Sequence, residues 1–365
     1  MKSTFKYSAC ILFLALLLNS CSNNDSNPTI EESIYLTSQE EVDAFGMNGY
    51  QIIKGNLAIE SISTDDPITD LSPLADLISV DLDITIKSSS ITSLTGLNKL
   101  EEILGDFRIE DNNLLSNLEG LGSLRSIGGD FRIFNNQSLI ATNGINELSV
   151  VEGILDISFN PLLSNLTGFE SVNSLSELRV YSNIGLMSLD GFERLNELGF
   201  GVFINQNPAL ESISGLSGIN SLKRLVIQAN EKLSSLDGLQ GITELESLDI
   251  ALIPITDLSG LENLRSVSTE LVIGLASNLR NLDGLNNVNT VEDLVISSNE
   301  NLENIDALQS LNSSSRVVFI NNPLLSDFCV ISDLINNQDF VGEFLTRENA
   351  FNPNKEDLGS GNCRD

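Results

Sequence analysis

The sequence of 365 residues contains no histidine and no tryptophan, and only 5% of its residues are aromatic. Without histidine, a serine or cysteine nucleophile lacks its usual general base. Histidine is also the usual partner of cysteine in zinc sites, and the four cysteines do not form a zinc motif. No glycine-rich phosphate-binding loop is present either. The sequence therefore predicts no metal and no cofactor. Calcium at Asp65 and Asp66 or at Asp81 and Asp83 is an alternative on charge alone, but no EF-hand or repeated aspartate pattern supports it.

Basic residues are scarce as well. The chain has 19 lysines and arginines against 51 aspartates and glutamates, which gives a formal net charge of -32. Such a surface repels nucleic acid and anionic lipid headgroups, so we expect neither as a direct partner. The carboxylates are spread along the chain rather than gathered in a tail, as is typical of a solvated surface that maintains solubility.

The N-terminal segment has the pattern of an export signal. Lys2 and Lys6 precede an apolar run at residues 9–18, which is too short to cross a bilayer but suits a signal-peptide core. The tetrad Leu-Asn-Ser-Cys that ends at Cys21 resembles the lipobox of bacterial lipoproteins, in which the cysteine becomes the lipidated first residue. The resemblance implies a signal peptide at 1–20 and lipidation of Cys21. The residues that follow are polar and lack periodicity, which predicts a flexible tether at 21–35. An ordinary signal peptide cut near Ser20 is the alternative, and it leaves Cys21 as a spare thiol.

The lipid implies a location in the cell envelope. In one group of Gram-negative bacteria, an acidic stretch just after the lipidated cysteine directs lipoproteins to the outer face of the outer membrane. Here Asp25 is the single acidic residue in that position. We therefore expect attachment to the outer membrane and exposure at the cell surface, with the lipid as the only contact with the membrane.

Cysteine use agrees with export. Cys10 leaves with the signal peptide and Cys21 accepts the lipid, so Cys329 and Cys363 remain as the only available pair. Exported chains meet oxidising conditions, and we expect a disulfide between these two. Closing a loop of this length contributes about 4 kcal/mol in the chain-entropy view.

One glycine recurs through most of the chain. The recurring residues, separated by 22 to 24 positions, are Gly96, Gly120, Gly144, Gly168, Gly191, Gly215, Gly238, Gly260 and Gly284. Pro73 lies 23 residues before the first of them, and Ala307 lies 23 after the last. A period this constant is typical of a solenoid, in which each repeat packs on its neighbours.

Each repeat also contains a short strand and a following asparagine. Between residues 53 and 325, apolar residues alternate as in Phe107/Ile109 and Phe131/Ile133, which predicts about twelve coils that stack into a parallel sheet. The asparagines are Asn112, Asn136, Asn160, Asn183, Asn207, Asn230, Asn299 and Asn322. Stacked asparagines can satisfy backbone groups of buried turns. Ile253 and Ala276 interrupt the series, so we expect these two coils to deviate locally.

The pattern Leu-x-Ile-x-x-Asn-x-x-Leu-x-x-Leu-x-Gly-Leu-x-x-Leu resembles the leucine-rich repeats of receptor L domains. The stretch ITDLSGLENL, at the single 22-residue step, resembles the internalin type. The resemblance implies a right-handed solenoid with a parallel sheet at residues 36–325, and a protein that binds proteins or glycans. A short helix at 37–46 is expected to cover its N-terminal end. Residues 326–365 leave the period and predict a C-terminal cap, with a helix at 327–337 fixed by the disulfide.

The outward positions of the sheet hold the candidate ligand-binding residues. These are arginines and aromatics clustered in the N-terminal half, namely Arg108, Arg132, Phe134, Arg179, Tyr181 and Phe203. Arginine and aromatic side chains dominate binding energy at interfaces, and they also stack on sugars. The alternative is a surface charge ladder, in which Asp156 lies between Arg132 and Arg179 and Glu110 lies beside Arg108.

An enzyme is the competing class of protein. Some parallel β-helix proteins degrade polysaccharides with clustered carboxylates, and glycoside hydrolysis needs two carboxyl groups roughly 5 to 9.5 Å apart. The row that we assign to Asp83, Asp156 and Asp249 places them on well-separated coils. We therefore predict a non-catalytic surface lipoprotein that binds a protein or glycan through its sheet. A purely structural spacer and a polysaccharide-degrading enzyme are the alternatives.

Overall fold

The computed structural model describes residues 27–338 and 340–365. The predicted signal peptide, the lipidation site Cys21 and the start of the tether lie outside the described residues. The strands are β1 (Thr29–Ile30), β2 (Ile34–Leu36), β3 (Ile52–Ile53), β4 (Leu57–Glu60), β5 (Ser79–Val80), β6 (Ile84–Lys87), β7 (Glu102–Ile103), β8 (Phe107–Glu110), β9 (Ser126–Ile127), β10 (Phe131–Phe134), β11 (Val150–Ser158), β12 (Ser174–Tyr181), β13 (Glu197–Asn205), β14 (Arg224–Gln228), β15 (Glu244–Ala251), β16 (Ser266–Gly274), β17 (Thr290–Ser297), β18 (Arg316–Ile320) and β19 (Glu343–Arg347). The α-helices are α1 (Gln39–Gly46), α2 (Ser332–Asn336) and α3 (Lys355–Gly359), and 3₁₀ turns lie at Ser72–Leu74, Ser214–Leu216, Asp306–Ser310 and Cys329–Ile331.

These strands form the predicted leucine-rich parallel-sheet solenoid. Each coil contributes one main strand, and the main strands pair in parallel in the order β2, β4, β6, β8 and then β10 through β19. The described residues therefore contain about 14 coils, more than the twelve that the sequence predicts. A short leading strand precedes the main strand in the early coils, and the two merge into one longer strand from β11 onward, β14, β18 and β19 excepted.

Inward residues of the main strands form one continuous apolar core. Phe107 and Ile109, for example, are fully buried, whereas Arg108 between them faces outward. Phe107 stacks on Phe131 of the next coil with ring centroids 5.1 Å apart. The two-residue periodicity of the strand thus separates positions that hold the fold together from positions that are free to vary.

A hydrogen-bonded asparagine ladder runs beside this core, as predicted. Asn160 is typical: its Oδ1 accepts the Asn136 backbone N–H at 3.0 Å, and its Nδ2 donates to the carbonyls of Ile133 at 3.0 Å and Ser158 at 2.9 Å. All eight predicted asparagines are fully buried. The ladder also extends to Asn349, whose Oδ1 accepts the Asn322 N–H at 3.0 Å.

The prediction that the coils at Ile253 and Ala276 deviate is correct for the first and wrong for the second. The Leu279 N–H donates to the Ala276 carbonyl at 3.1 Å, as the Leu233 N–H does to that of Asn230, whereas the turn at Ile253 is one residue shorter and its next buried residue, Ile255, follows after two positions instead of three. The residue before each ladder position has a left-handed backbone, and Leu252 and Leu275 adopt it with φ of 56° and 55°, close to the 53° of Ser182 in an intact coil. Both apolar ladder residues are buried in place of the amide. Stacking between coils therefore sets the turn, since it holds even leucine in a conformation that costs about 1 kcal/mol.

The recurring glycine is required by its conformation and its surroundings. Gly120 has φ of 115°, and a Cβ there would lie 2.0 Å from the Leu94 carbonyl oxygen of the preceding coil. Gly215 is the member of the series that instead lies within a 3₁₀ turn. The same kind of turn lies at the Pro73 and Ala307 positions, which explains how those residues can replace glycine.

The solenoid extends beyond both predicted boundaries. Residues of the predicted tether form β1 and β2, which pair with β3 and β4. At the other end, β19 pairs in register with β18, and Asn349 closes the ladder. The predicted tether is therefore too long at its C-terminal end, where residues from Thr29 onward belong to the solenoid, and the predicted C-terminal cap begins with one more coil. Long interruptions inside both end coils conceal this periodicity in the sequence.

The two ends are covered by short helices. Helix α1, predicted at 37–46, follows β2 and packs on the 3₁₀ turn Ser72–Leu74 of the next coil, with Val42 fully buried. At the C-terminus, the predicted helix at 327–337 is instead a 3₁₀ turn that leads into α2, and α2 packs on α3. The predicted disulfide between Cys329 and Cys363 is present.

Candidate functional site

The six candidate residues lie on the outward face of consecutive main strands. Arg108 pairs in register with Arg132, which pairs with Asp156, then Arg179, then Phe203. Phe134 and Tyr181 lie in the next outward row, separated by Ser158. The predicted rows are therefore correct from β8 onward, and the structure brings all six residues onto one face.

The register of the preceding strand is different from the prediction. Thr85, not Asp83, pairs with Arg108. Asp83 belongs to a row with Asp106 and Asp130, in which carboxylates follow one another on consecutive coils. The prediction that carboxylates never lie on neighbouring coils is thus wrong for this row. The shift arises because Leu82 is half-exposed and Ile84 is the first inward residue of β6.

These three aspartates form a second ladder, which sequence reasoning missed. The Oδ1 of Asp83 accepts the Asp106 backbone N–H at 2.9 Å, and that of Asp106 accepts the Asp130 N–H at 2.8 Å. A glycine precedes Asp106 and Asp130, and a Cβ at Gly129 would lie 2.2 Å from the Asp106 Oδ1. The repeated Gly-Asp-Phe at 105–107 and 129–131 was the available signal. One oxygen of each carboxylate therefore accepts a backbone N–H from the next coil and helps to hold the two coils together.

All three predicted arginines are paired with carboxylates. Arg108 contacts Asp83 at 3.4 Å and also Asp106, and Arg179 contacts Glu177. Arg132 lies 3.8 Å from Glu110 and 3.3 Å from Asp156. We call Arg108, Arg132 and Arg179 with these partners the paired arginine stretch. The charge-ladder alternative thus describes the contacts of these arginines, with two changes of partner. Glu110 pairs with Arg132 instead of Arg108, and Arg179 pairs with Glu177 instead of Asp156.

The predicted aromatic residues are half-buried and each has an aromatic or charged neighbour. Phe134 meets Phe159 edge-on with centroids 5.2 Å apart, and Phe159, which sequence reasoning missed, is 48% exposed. Burial raises the pKa of Tyr181, and neighbouring Arg179 lowers it by a smaller amount. The Tyr181 hydroxyl is therefore neutral at physiological pH and can donate and accept hydrogen bonds.

A further aromatic and cationic group lies beside Tyr181. Phe203 and Phe200 have ring planes within 19° of parallel and centroids 6.2 Å apart. The Arg224 guanidinium carbon lies 5.8 Å from the centre of the Phe200 ring. Tyr181 is in register with Asn205 and Gln228 of the next two strands. We call Tyr181, Phe200, Phe203, Asn205, Arg224 and Gln228 the Arg224 site.

A β-bulge explains why the repeat pattern did not reveal Phe200. In the pairing of β12 with β13, Ser176 alone faces both Gly199 and Phe200, so β13 contains one extra residue. Bulges redirect side chains, and this one places a phenylalanine beside Phe203. Arg224 lies one position before the first inward residue of β14, so it belongs to neither of the two predicted outward rows.

Neither a metal centre nor a membrane span is formed by residues 27–338 and 340–365. Within these ranges, no group of three or more histidine, cysteine, aspartate or glutamate side chains is arranged to hold a metal ion. No helix in the same part of the chain is long and apolar enough to cross a membrane.

No protein-family model and no curated protein sequence matches the chain. Among solved structures, it is similar to a leucine-rich repeat protein of Leptospira interrogans, with 16% identity, a TM-score of 0.38 and coverage of 87% of this chain and 89% of that one. It is also similar to TLR13 in a complex with a single-stranded RNA, with 14% identity, a TM-score of 0.36 and coverage of 88% of this chain and 58% of that one. These likenesses concern the fold alone.

Proposed function

We propose that this protein is a non-catalytic binding protein that captures a protein or glycan through the outward face of its parallel sheet. The observation that carries the proposal is the contrast between the two faces of the same strands. Inward residues are uniformly apolar, whereas outward residues change from coil to coil and include half-buried aromatics and arginines. Side chains of these types supply most of the binding energy at interfaces.

The net charge of -32 restricts the partner. Polyanions such as nucleic acid are repelled by a field of this sign. Proteins with basic or mixed surfaces, and glycans with few charges, approach without that cost. The carboxylate ladders support the role of scaffold rather than catalyst for Asp83, Asp106 and Asp130, because their contacts join neighbouring coils.

A binding array of glycans and envelope or host proteins, probed with the purified full-length protein, tests the proposal. The double variant Arg132→Glu with Tyr181→Ala alters the sheet face, and we expect it to reduce capture at least tenfold, while the loss of the Arg132 ion pairs lowers the thermal midpoint by only a few degrees. The matched control is Lys232→Glu, which makes the same charge reversal in the turn that follows Asn230, beside Glu211. Equal loss in both variants, or no capture of any probe by the wild type, contradicts binding through the sheet.

We also propose that Cys21 carries lipid and holds the protein at the outer membrane, exposed at the cell surface. The support is the lipobox-like tetrad that ends at Cys21 and the start of the first strand only eight residues later, at Thr29. Incorporation of labelled palmitate in bacteria tests this, with Cys21→Ser expected to abolish labelling and Cys10→Ser to leave it intact. Labelling that survives Cys21→Ser, or protein protected from external protease in intact cells, contradicts the anchor or the display respectively.

A further inference from the structure

Arg224 differs from the other arginines of the main strands in its neighbours. It belongs to the outward row that precedes the first inward residue of each strand, which reads Ile154, Glu177, Gly201, Arg224, Ser247, Glu270, Asp293, Arg316 and Glu343. Arg316 lies between two acidic residues of this row and pairs with Glu343 at 2.9 Å. Arg224 lies between Gly201 and Ser247, so the row provides it with no carboxylate.

The carboxylates around Arg224 are engaged with other groups. Glu246 pairs with Lys223 at 3.2 Å, and Asp249 accepts a hydrogen bond from the Gln228 amide at 2.6 Å. Glu177 contacts Arg179. Within the described residues, every other arginine of a main strand forms a salt bridge, whereas Arg224 is exposed and forms none. An outward cation without a counter-charge, in a chain so rich in carboxylates, is suited to an anionic group of a ligand.

The phenylalanines next to Arg224 provide an apolar platform. Gly201 lies between them, and a Cβ at this position would meet Phe203 Cε2 at 3.2 Å and the Arg224 carbonyl oxygen at 2.5 Å. The Phe203 ring therefore leans over a position that must lack a side chain. The nearly parallel Phe200 ring, placed by the bulge, extends this surface toward the Arg224 guanidinium.

Hydrogen-bonding groups complete the other side of the site. Tyr181, Asn205 and Gln228 are in register on the neighbouring strands β12, β13 and β14. They form the outward row next to the one that contains Phe203. Three strands span roughly 10 Å, the footprint of one or two sugar rings. An aromatic platform, a row of hydroxyl and amide groups and one free guanidinium are complementary to a sugar ring that bears hydroxyls and a carboxylate.

We propose that the Arg224 site binds an acidic sugar, a pyranose with a single carboxylate within an otherwise neutral glycan. The carboxylate pairs with Arg224, the ring lies on Phe203 and Phe200, and the hydroxyls bond to Tyr181, Asn205 and Gln228. A polyanionic glycan is a poorer partner, because the net charge of the chain repels its remaining carboxylates. This inference rests on the proposed function and names the ligand class and the residues that select it.

Matched trisaccharides test the inference. We would measure affinity by calorimetry for gluco-, galacto- and manno-trisaccharides, each in a neutral form and in a form whose terminal C6 is oxidised to a carboxylate. For at least one pair, we expect the wild type to bind the carboxylate form at least tenfold more tightly. Arg224→Gln should remove that preference and leave the affinity for the neutral form unchanged, whereas Phe203→Ala should weaken both forms.

Ser247→Glu gives the sharpest variant, because it provides Arg224 with the row partner that Arg316 has in Glu343. We expect it to reduce binding of the carboxylate form at least tenfold and to leave the affinity for the neutral form unchanged. Because Ser247 is only 9% exposed, circular dichroism of the variant is needed to check that it remains folded. Arg316→Gln is the control, and it should bind as the wild type does. Equal affinity for both forms in all three pairs, no binding of any, or binding only of an acidic peptide overturns the inference. Capture through the sheet face that persists in Arg224→Gln would leave the proposed function standing and remove this site from it.

Discussion

The coils up to Asn207 and the coils that follow use the same backbone with different partners for their polar groups. In the first set, the asparagine ladder is unbroken and the arginines of the sheet face are paired. In the second set, Ile253 and Ala276 replace the ladder amide, and Arg224 has no carboxylate beside it. The left-handed residue before the ladder position and the in-register pairing of the main strands continue across both sets.

A missing partner has different consequences inside and outside the solenoid. At the ladder, the amide is replaced by a buried apolar side chain, because the interior cannot leave a polar side chain without bonds. On the sheet face, water solvates the Arg224 guanidinium. The absence of a carboxylate partner therefore costs little free energy there, and the guanidinium remains available to a ligand. The difference between the two sets of coils is therefore structural at the ladder, and on the sheet it is the basis of the proposed ligand site.

The largest effect is expected where an intact ladder is broken. Asn160→Leu keeps the branched shape and the number of side-chain heavy atoms but removes the acceptor of the Asn136 N–H and the donor to the Ile133 carbonyl. Leaving two buried groups without these partners costs about 1–3 kcal/mol each, so we expect the free energy of unfolding to fall by about 3 kcal/mol. Urea unfolding gives the global value, and hydrogen exchange at the Asn136 amide reports the local loss.

The matched control is Ile253→Leu, at the equivalent position of a coil that has no ladder amide. A volume-conserving apolar exchange costs less than about 1.5 kcal/mol. If Asn160→Leu unfolds at the same urea concentration as Ile253→Leu, the buried asparagines contribute no more than apolar side chains do, and the contrast between the two sets of coils loses its physical basis.

The constant positions of the fold could be predicted from the sequence because each recurs in many coils. The asparagines, the inward apolar residues and the glycine are repeated often enough for their register to be unambiguous. The end coils were missed because a helix or a loop interrupts them, so that Asn349 follows Asn322 by 27 residues. Asp83 was assigned to the wrong row because Leu82 and Ile84 are equally plausible first residues of the strand.

The candidate site was harder to predict because its residues depend on exceptions to the repeat. Arg108, Arg132 and Arg179 could be recognised by residue type, but whether they are free depends on acidic residues of neighbouring coils. Phe200 reaches the face only through a one-residue bulge. Arg224 has no counter-charge because its in-register neighbours, Gly201 and Ser247, have no carboxylate. These neighbours can be identified only once the strand register is known.

The smallest expected effect separates paired from unpaired arginines. Arg132→Gln leaves Glu110 and Asp156 without a cation, and because the Arg132 side chain is 46% exposed, the cost should be only about 0.5–1 kcal/mol. Arg224→Gln breaks no ion pair and should cost less than Arg132→Gln does. Raising the salt concentration to about 1 M shortens the screening length to about 3 Å, which should bring the two variants together. A larger loss for Arg224→Gln, or a difference that salt does not reduce, would show that Arg224 stabilises the coil instead of remaining free for a ligand.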